Sequence, residues 1–215
     1  MIEVNIESKA FGSTPVLGPI RFGVRAGETV ALTGPSGIGK STVLRILAGI
    51  DKEFEGTITR PEEVAFVFQE PTLLPWRSVL KNILVPHPRL TPQQGHEALK
   101  SVGLEDKAEF FPNQLSLGQQ RRLSLARAFA RTPELLIMDE PFVSLDAETA
   151  DEMMRLTEKL IVAHQPAALF VTHDRREAER LADRVIRLEH RPTGAEIARD
   201  GNEVTAAEID GVGPG

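Results

Sequence analysis

The 215-residue chain has no cysteine, no tyrosine and a single tryptophan. Without cysteine there can be no disulfide, no thiolate metal site and no cysteine nucleophile. That also fits a reducing compartment. No apolar run approaches the roughly 18–20 residues that cross a bilayer. The first residues, MIEVNIES, lack a basic segment followed by an apolar one, so no secretory leader is expected. Positive charge is not in excess either. The net charge is −6 and the pI about 5.5, which disfavours nucleic acid and anionic membranes as direct partners. The histidines at 87, 96, 164 and 190 share no ligand spacing, and no transition metal is expected. What remains is ordinary globular usage, 41% hydrophobic and 26% charged, which excludes a mostly disordered chain. The length suits one domain, with room for a sub-lobe.

Patterning along the chain predicts an α/β protein. Residues 2–8 alternate apolar and polar as a half-buried strand does, and 20–25 and 28–33 read as further strands. Residues 40–49 place Val43, Leu44, Leu47 and Ala48 on one helical face, with Gly49 as the stop. VAFVF at 64–68 is a short apolar strand. Prolines then punctuate 71–113, and helices are expected at 92–102 and 117–131. Residues 70–132 therefore read as a helical insert in a core formed by 1–69 and 133–190. Within that core, LLIM at 135–138 and ALFVT at 168–172 are buried strands. Residues 147–164 form an amphipathic helix with Met153, Leu156, Leu160 and Ile161 inward. A helix at 174–183 and a strand at 184–189 follow. Continuous apolar strands alternating with helices predict a parallel sheet covered on both faces. Residues 191–215 have little periodicity and read as a weakly ordered tail. Arg121, Arg122, Arg127 and Arg131 read as a solvated face of the 117–131 helix.

The chemistry begins at GPSGIGKST, residues Gly34, Pro35, Ser36, Gly37, Ile38, Gly39, Lys40, Ser41 and Thr42. It sits between a predicted strand and a predicted helix, as a phosphate-binding loop requires. Successive backbone N–H groups there form a concave cradle for phosphate oxygens. The helix N-terminus adds partial positive charge. Lys40 would reach the β- and γ-phosphates, and Ser41 would ligate Mg²⁺. The strand LLIM delivers Asp139 and Glu140 to its carboxyl end, where such sheets place ligands. Asp139 suits the Mg²⁺ shell, and Glu140 is placed to polarise a water.

LSLGQ at 115–119 opens the predicted helix 117–131. Together with the phosphate loop and LLIMDE, it resembles the ATP-binding subunit of ABC transporters, over residues 2 to 190. The resemblance implies a P-loop NTPase core of RecA-like type. That core has a mostly parallel sheet, an N-terminal antiparallel β portion and a helical subdomain. ATP and Mg²⁺ are the implied ligands. By the same resemblance, Gln69 matches the glutamine that touches Mg²⁺ or the attacking water. Asp146, in SLD at 144–146, matches a residue near a dimer interface, and His173 matches a γ-phosphate contact. Phe11 stands where the family stacks an aromatic on adenine. Ser116, Gly118 and Gln119 match the signature that binds ATP held by a second copy. Leu117 departs from the family's usual glycine there, which puts the strength of that contact in question.

The implied assembly is a homodimer with separate transmembrane permease subunits and a solute-binding protein, at the cytoplasmic face of the inner membrane. The run FQEPTLLPWRSVLKNI is similar to the nitrate, sulfonate and taurine importer branch. Trp76 and its neighbours read equally as a docking surface for a permease helix or as the small core of the insert. An exporter subunit, a soluble ABC-type ATPase and a small-molecule P-loop kinase remain as alternatives.

Overall fold

The apolar strands do pair in parallel, and alternate side chains bury on opposite faces of the sheet they form. The structure is a computed structural model that describes residues 1–198 and the backbone of Val204–Thr205. Its strands are β1 (Ile2–Phe11), β2 (Thr14–Leu17), β3 (Ile20–Val24), β4 (Thr29–Thr33), β5 (Glu55–Thr59), β6 (Val64–Val67), β7 (Leu135–Asp139), β8 (Ala167–Val171), β9 (Arg184–Arg191), β10 (Gly194–Ile197) and β11 (Val204–Thr205). The helices are α1 (Lys40–Leu47), α2 (Val79–Leu84), α3 (Pro92–Ser101), α4 (Leu117–Phe129), α5 (Ala147–His164) and α6 (Arg175–Leu181). β9, β4, β8, β7 and β6 lie side by side in that order, all parallel. β1 pairs antiparallel with β2, β3 and β5, which makes the N-terminal part a second, antiparallel sheet region.

The period of two along a strand decides where the core goes. Leu135, Ile137, Leu169 and Val171 face one side, with Val30 and Leu32 of β4. They pack on Val43, Leu44 and Leu47 of α1 and on Ile2, Val4, Ile6, Ile20 and Val24 of the antiparallel strands. Leu136, Met138, Ala168 and Phe170 face the other side, against Leu123 and Ala126 of α4, Met153 and Leu160 of α5, and Ala178 and Leu181 of α6. Each fully buried aliphatic side chain contributes about 1.5–3 kcal/mol of transfer free energy. Truncating one such as Leu44 to alanine should cost about 2–5 kcal/mol.

Most predicted elements lie within two residues of their expected positions. Two expectations are corrected. Residues 191–215 are not uniformly tail-like, because β10 pairs antiparallel with β9 from Gly194↔Arg191 to Ile197↔Leu188. It also pairs with β2 at Ala195↔Leu17, where Gly18 N–H donates to the Ala195 carbonyl at 2.9 Å. The rest of the expected tail falls outside the described residues, apart from the β11 pairing of Val204 with Val185. The arginines of α4 are not all a solvated face. Arg121 is buried and donates to the Pro141 and Val143 carbonyls, at 3.3 and 3.1 Å. Arg127 donates to the Pro71 and Thr72 carbonyls and to Thr72 Oγ1 at 3.0–3.1 Å. Only Arg122 and Arg131 make the surface ion pairs a solvated face implies, with Glu152 and Glu63.

Candidate nucleotide-binding site

β4 runs into the loop 34–39, and α1 starts at Lys40. Gly34 and Gly39 are required for two reasons at once. Both have positive φ, +142° and +113°. A Cβ at Gly34 would sit 2.7 Å from the Leu188 carbonyl, and one at Gly39 would sit 2.6 Å from Leu17 Cδ2. The loop is thereby wedged between β9 and β2. Gly37 also has positive φ, but nothing lies within 4 Å of its Cβ position. Space on that side is what a cradle needs. Lys40 is buried, and its Nζ donates to the Gly34 and Pro35 carbonyls at 2.8 and 2.9 Å. An ammonium has three donors, so one remains for a phosphate oxygen.

β7 ends at Asp139, and Ser41 Oγ donates to Asp139 Oδ1 at 3.1 Å. The two residues lie far apart in sequence, and this bond joins the phosphate loop to the acidic strand end. Burial pushes the Asp139 carboxyl above its ordinary range, against the pull of the Ser41 bond. A buried carboxylate beside a hydroxyl is an all-oxygen donor set, which suits a small hard cation such as Mg²⁺. Glu140 follows with φ +45°, a left-handed conformation unusual for a side-chain-bearing residue, and its N–H donates to the Val171 carbonyl at 3.1 Å. Such strain tends to be stored at functional sites, at a cost of about 1–3 kcal/mol. His173 Nδ1 lies 3.8 Å from Glu140 Oε1. β8 and β7 are neighbours, so the sheet itself sets these two side chains together. Gln69 is exposed just past β6. The β6–β7 pairing ends at Val67↔Met138, so Gln69 and Glu140 both follow the carboxyl ends of neighbouring strands.

Ser116, Gly118, Gln119 and Asp146 gather elsewhere. Ser116 caps α4, accepting from Gln119 N–H at 3.2 Å, while Gln119 Oε1 accepts from Ser116 N–H at 3.0 Å. Asp146 caps α5 through Thr149, and those bonds hold its carboxyl below the ordinary range. The two caps line one open groove of 430 Å³ that contains no residue of the phosphate loop. Leu117 is also in its wall and is 44% exposed. Phe11 ends β1 on the hairpin into β2, and it is 56% exposed. Val16 and Leu17 of β2 flank Gly39, so that hairpin abuts the phosphate loop. Trp76 is 69% exposed and belongs to no core, whereas Leu80 and Ile83 of α2 do.

Sequence reasoning missed Arg121, Ser124 and Arg127 as organisers of the site. Ser124 Oγ and Arg127 both donate to the Pro71 carbonyl, just past Gln69. Arg121 holds the backbone that follows Glu140. A signal was present, since 124 and 127 share a helical face with the apolar 123 and 126.

A glycine loop between strand and helix, a lysine inside it and a carboxylate at the end of a strand two places along the sheet define a P-loop nucleoside triphosphatase. The comparisons narrow this. The ABC transporter family model matches residues 17–143. The aliphatic sulfonates import ATP-binding protein SsuB of Granulibacter bethesdensis is 48% identical over 86% of this chain and 79% of its own length. An SsuB protein of Rhodococcus jostii is 45% identical over 87% and 78%. Among solved structures, the dimeric post-hydrolysis ATP-binding cassette MJ0796 bound to ADP and Pi superposes with a TM-score of 0.80 at 30% identity, covering 96% of this chain and 99% of that one. The chain belongs to the ABC transporter family, as an ATP-binding and ATP-hydrolysing subunit. Among the described residues no helix is long and apolar enough to cross a membrane.

Proposed function

We propose that two copies of this chain close over two MgATP and so drive import of a small sulfonate-type solute through a separate permease. The observation that carries the dimer is the separation of the two constellations. The signature groove holds Ser116, Gly118, Gln119 and Asp146 but nothing of residues 34–42, as a groove that meets ATP on a second copy requires. The substrate class rests on the sulfonate-import relatives.

In this scheme Gly34 to Thr42 wrap the phosphates, Lys40 donates to the β- and γ-oxygens, and Phe11 stacks on adenine. Ser41, Asp139 and Gln69 would hold Mg²⁺, which would supply positive charge to neutralise the phosphates. Glu140 takes the proton of the attacking water, and His173 contacts the γ-phosphate from the neighbouring strand end. The exposed Trp76, beside the Gln69 loop, offers an apolar contact for a cytoplasmic segment of the permease. The complex then sits at the cytoplasmic face of the membrane, with a solute-binding protein on the other side.

Glu140→Gln tests the chemistry and the assembly together. With MgATP it should lose at least a hundredfold in hydrolysis and elute as a stable dimer, while the ATP-free protein elutes as before. Retained wild-type hydrolysis would remove Glu140 as the base. A variant that binds ATP yet never dimerises would overturn the two-copy scheme. The substrate class is tested by reconstituting the chain with its permease and binding protein. Hydrolysis should rise with alkanesulfonates and not with sugars or amino acids.

A further inference from the structure

The alternation of β1 breaks just where the strand approaches the phosphate loop. Ile2, Val4 and Ile6 point inward, and a regular strand would next send Ser8 in. The pairing with β5 instead shifts register between Ile6 and Ser8, and Lys9 turns inward in its place. Lysine is seldom fully buried unless paired. Here it is 2% exposed, and its ammonium is paired. Nζ pairs with Asp51 Oδ1 at 2.8 Å and donates to the Glu53 carbonyl at 2.6 Å. Its remaining direction faces the Phe11 ring, with the centroid 4.6 Å away.

Asp51 is itself held in place. Its carboxylate accepts Glu53 N–H at 3.0 Å, and its own N–H donates to the Arg45 carbonyl of α1 at 3.1 Å. A chain of contacts therefore runs from Phe11 through Lys9 and Asp51 to the helix whose first residues are Lys40 and Ser41. A phenyl ring on a hairpin would otherwise turn freely about its side-chain bonds. A cation against one face fixes that face inward and leaves the other for a ligand.

We propose that Lys9 is a positioning residue for nucleotide binding: it holds the Phe11 ring in register with the phosphate loop, so that base and phosphates are gripped at a fixed separation. This rests on the stacking role assigned to Phe11 above. Lys9 does not touch the nucleotide. Its effect is confined to ligands that carry a base.

The full chain is titrated with MgATP and, as a base-free probe, with Mg-tripolyphosphate. Lys9→Met should weaken ATP binding about three- to tenfold and leave tripolyphosphate unchanged, with the loss appearing in KM for ATP rather than in kcat. Lys9→Arg, which keeps a cation near the ring, should restore most of it. In a Phe11→Ala background, Lys9→Met should add nothing. If Phe11→Ala weakens ATP but Lys9→Met does not, the positioning role is wrong and the stacking role stands. If Phe11→Ala leaves ATP affinity unchanged, the stacking role itself fails. If Lys9→Met weakens both ligands alike, or adds its full effect to Phe11→Ala, Lys9 merely supports the fold and the proposal is overturned.

Discussion

The three glycines of the phosphate loop carry different burdens, although the motif writes them alike. Gly37 needs only its positive φ, because the space at its Cβ is open. Gly34 needs its φ and also the absence of a side chain, since a Cβ would strike the Leu188 carbonyl. Gly37→Ala should therefore cost about 1–2 kcal/mol, the ordinary left-handed penalty. Gly34→Ala should cost more, because backbone cannot swing away as a side-chain tip can. Thermal unfolding of the nucleotide-free protein should rank them in that order, and equal melting temperatures would refute the steric account. At this scale the site was readable in advance only in part. GPSGIGKST and LLIMDE are local patterns, and Ser41 and Asp139 were named for their types. Their 3.1 Å bond depends on which strands become neighbours, and that is not written in either motif.

At the scale of elements, α4 is the piece whose importance was hidden. Its apolar spacing showed a helix, but its arginines looked like surface charge. Three of its side chains instead terminate loop carbonyls, which are orphaned acceptors that buried turns must satisfy somehow. Helix and loops are thus one unit, reaching from the Ser116 cap to the Pro71–Thr72 turn behind Gln69. His87 joins it through a 2.9 Å bond between Nε2 and the Arg127 carbonyl. Burial holds this ring below its ordinary 6.5. The folded form is the neutral one, so the unfolded chain takes up its proton first as pH falls. The stability involved is fully present above 6.5 and is lost as pH drops from there toward the lowered folded value. Urea unfolding at a pH above and a pH below that point should show the loss, and His87→Gln should shrink it. An unchanged difference would assign the pH dependence to other groups.

For the whole molecule, the long periodic segments were legible and the short strands were not. β7, β8 and α5 are buried or strongly amphipathic, and they fell where periodicity put them. β5 is almost wholly exposed, β2 contains Pro15, and β10 is four residues long after a turn, so none shows a period that could reveal it. They exist because a partner strand offers them hydrogen bonds, which is tertiary information. β10 is the clearest case. Its Ala195 and the following Ala198 are buried, although the segment reads as tail. Ending the chain after His190 should lower the melting temperature by several degrees, as followed by circular dichroism. An unaltered melt would mean that β10 adds nothing to the fold.

The joint at Ala195 and Leu17 also sets an order of events. The hairpin bearing Phe11 leaves the ribosome well before β10, the strand that seals its edge. A nascent chain can complete its phosphate loop and signature helix while the edge of that hairpin is still unsealed. Full grip on a nucleotide should therefore follow the release of β10, as binding to stalled chains that end before and after it would show.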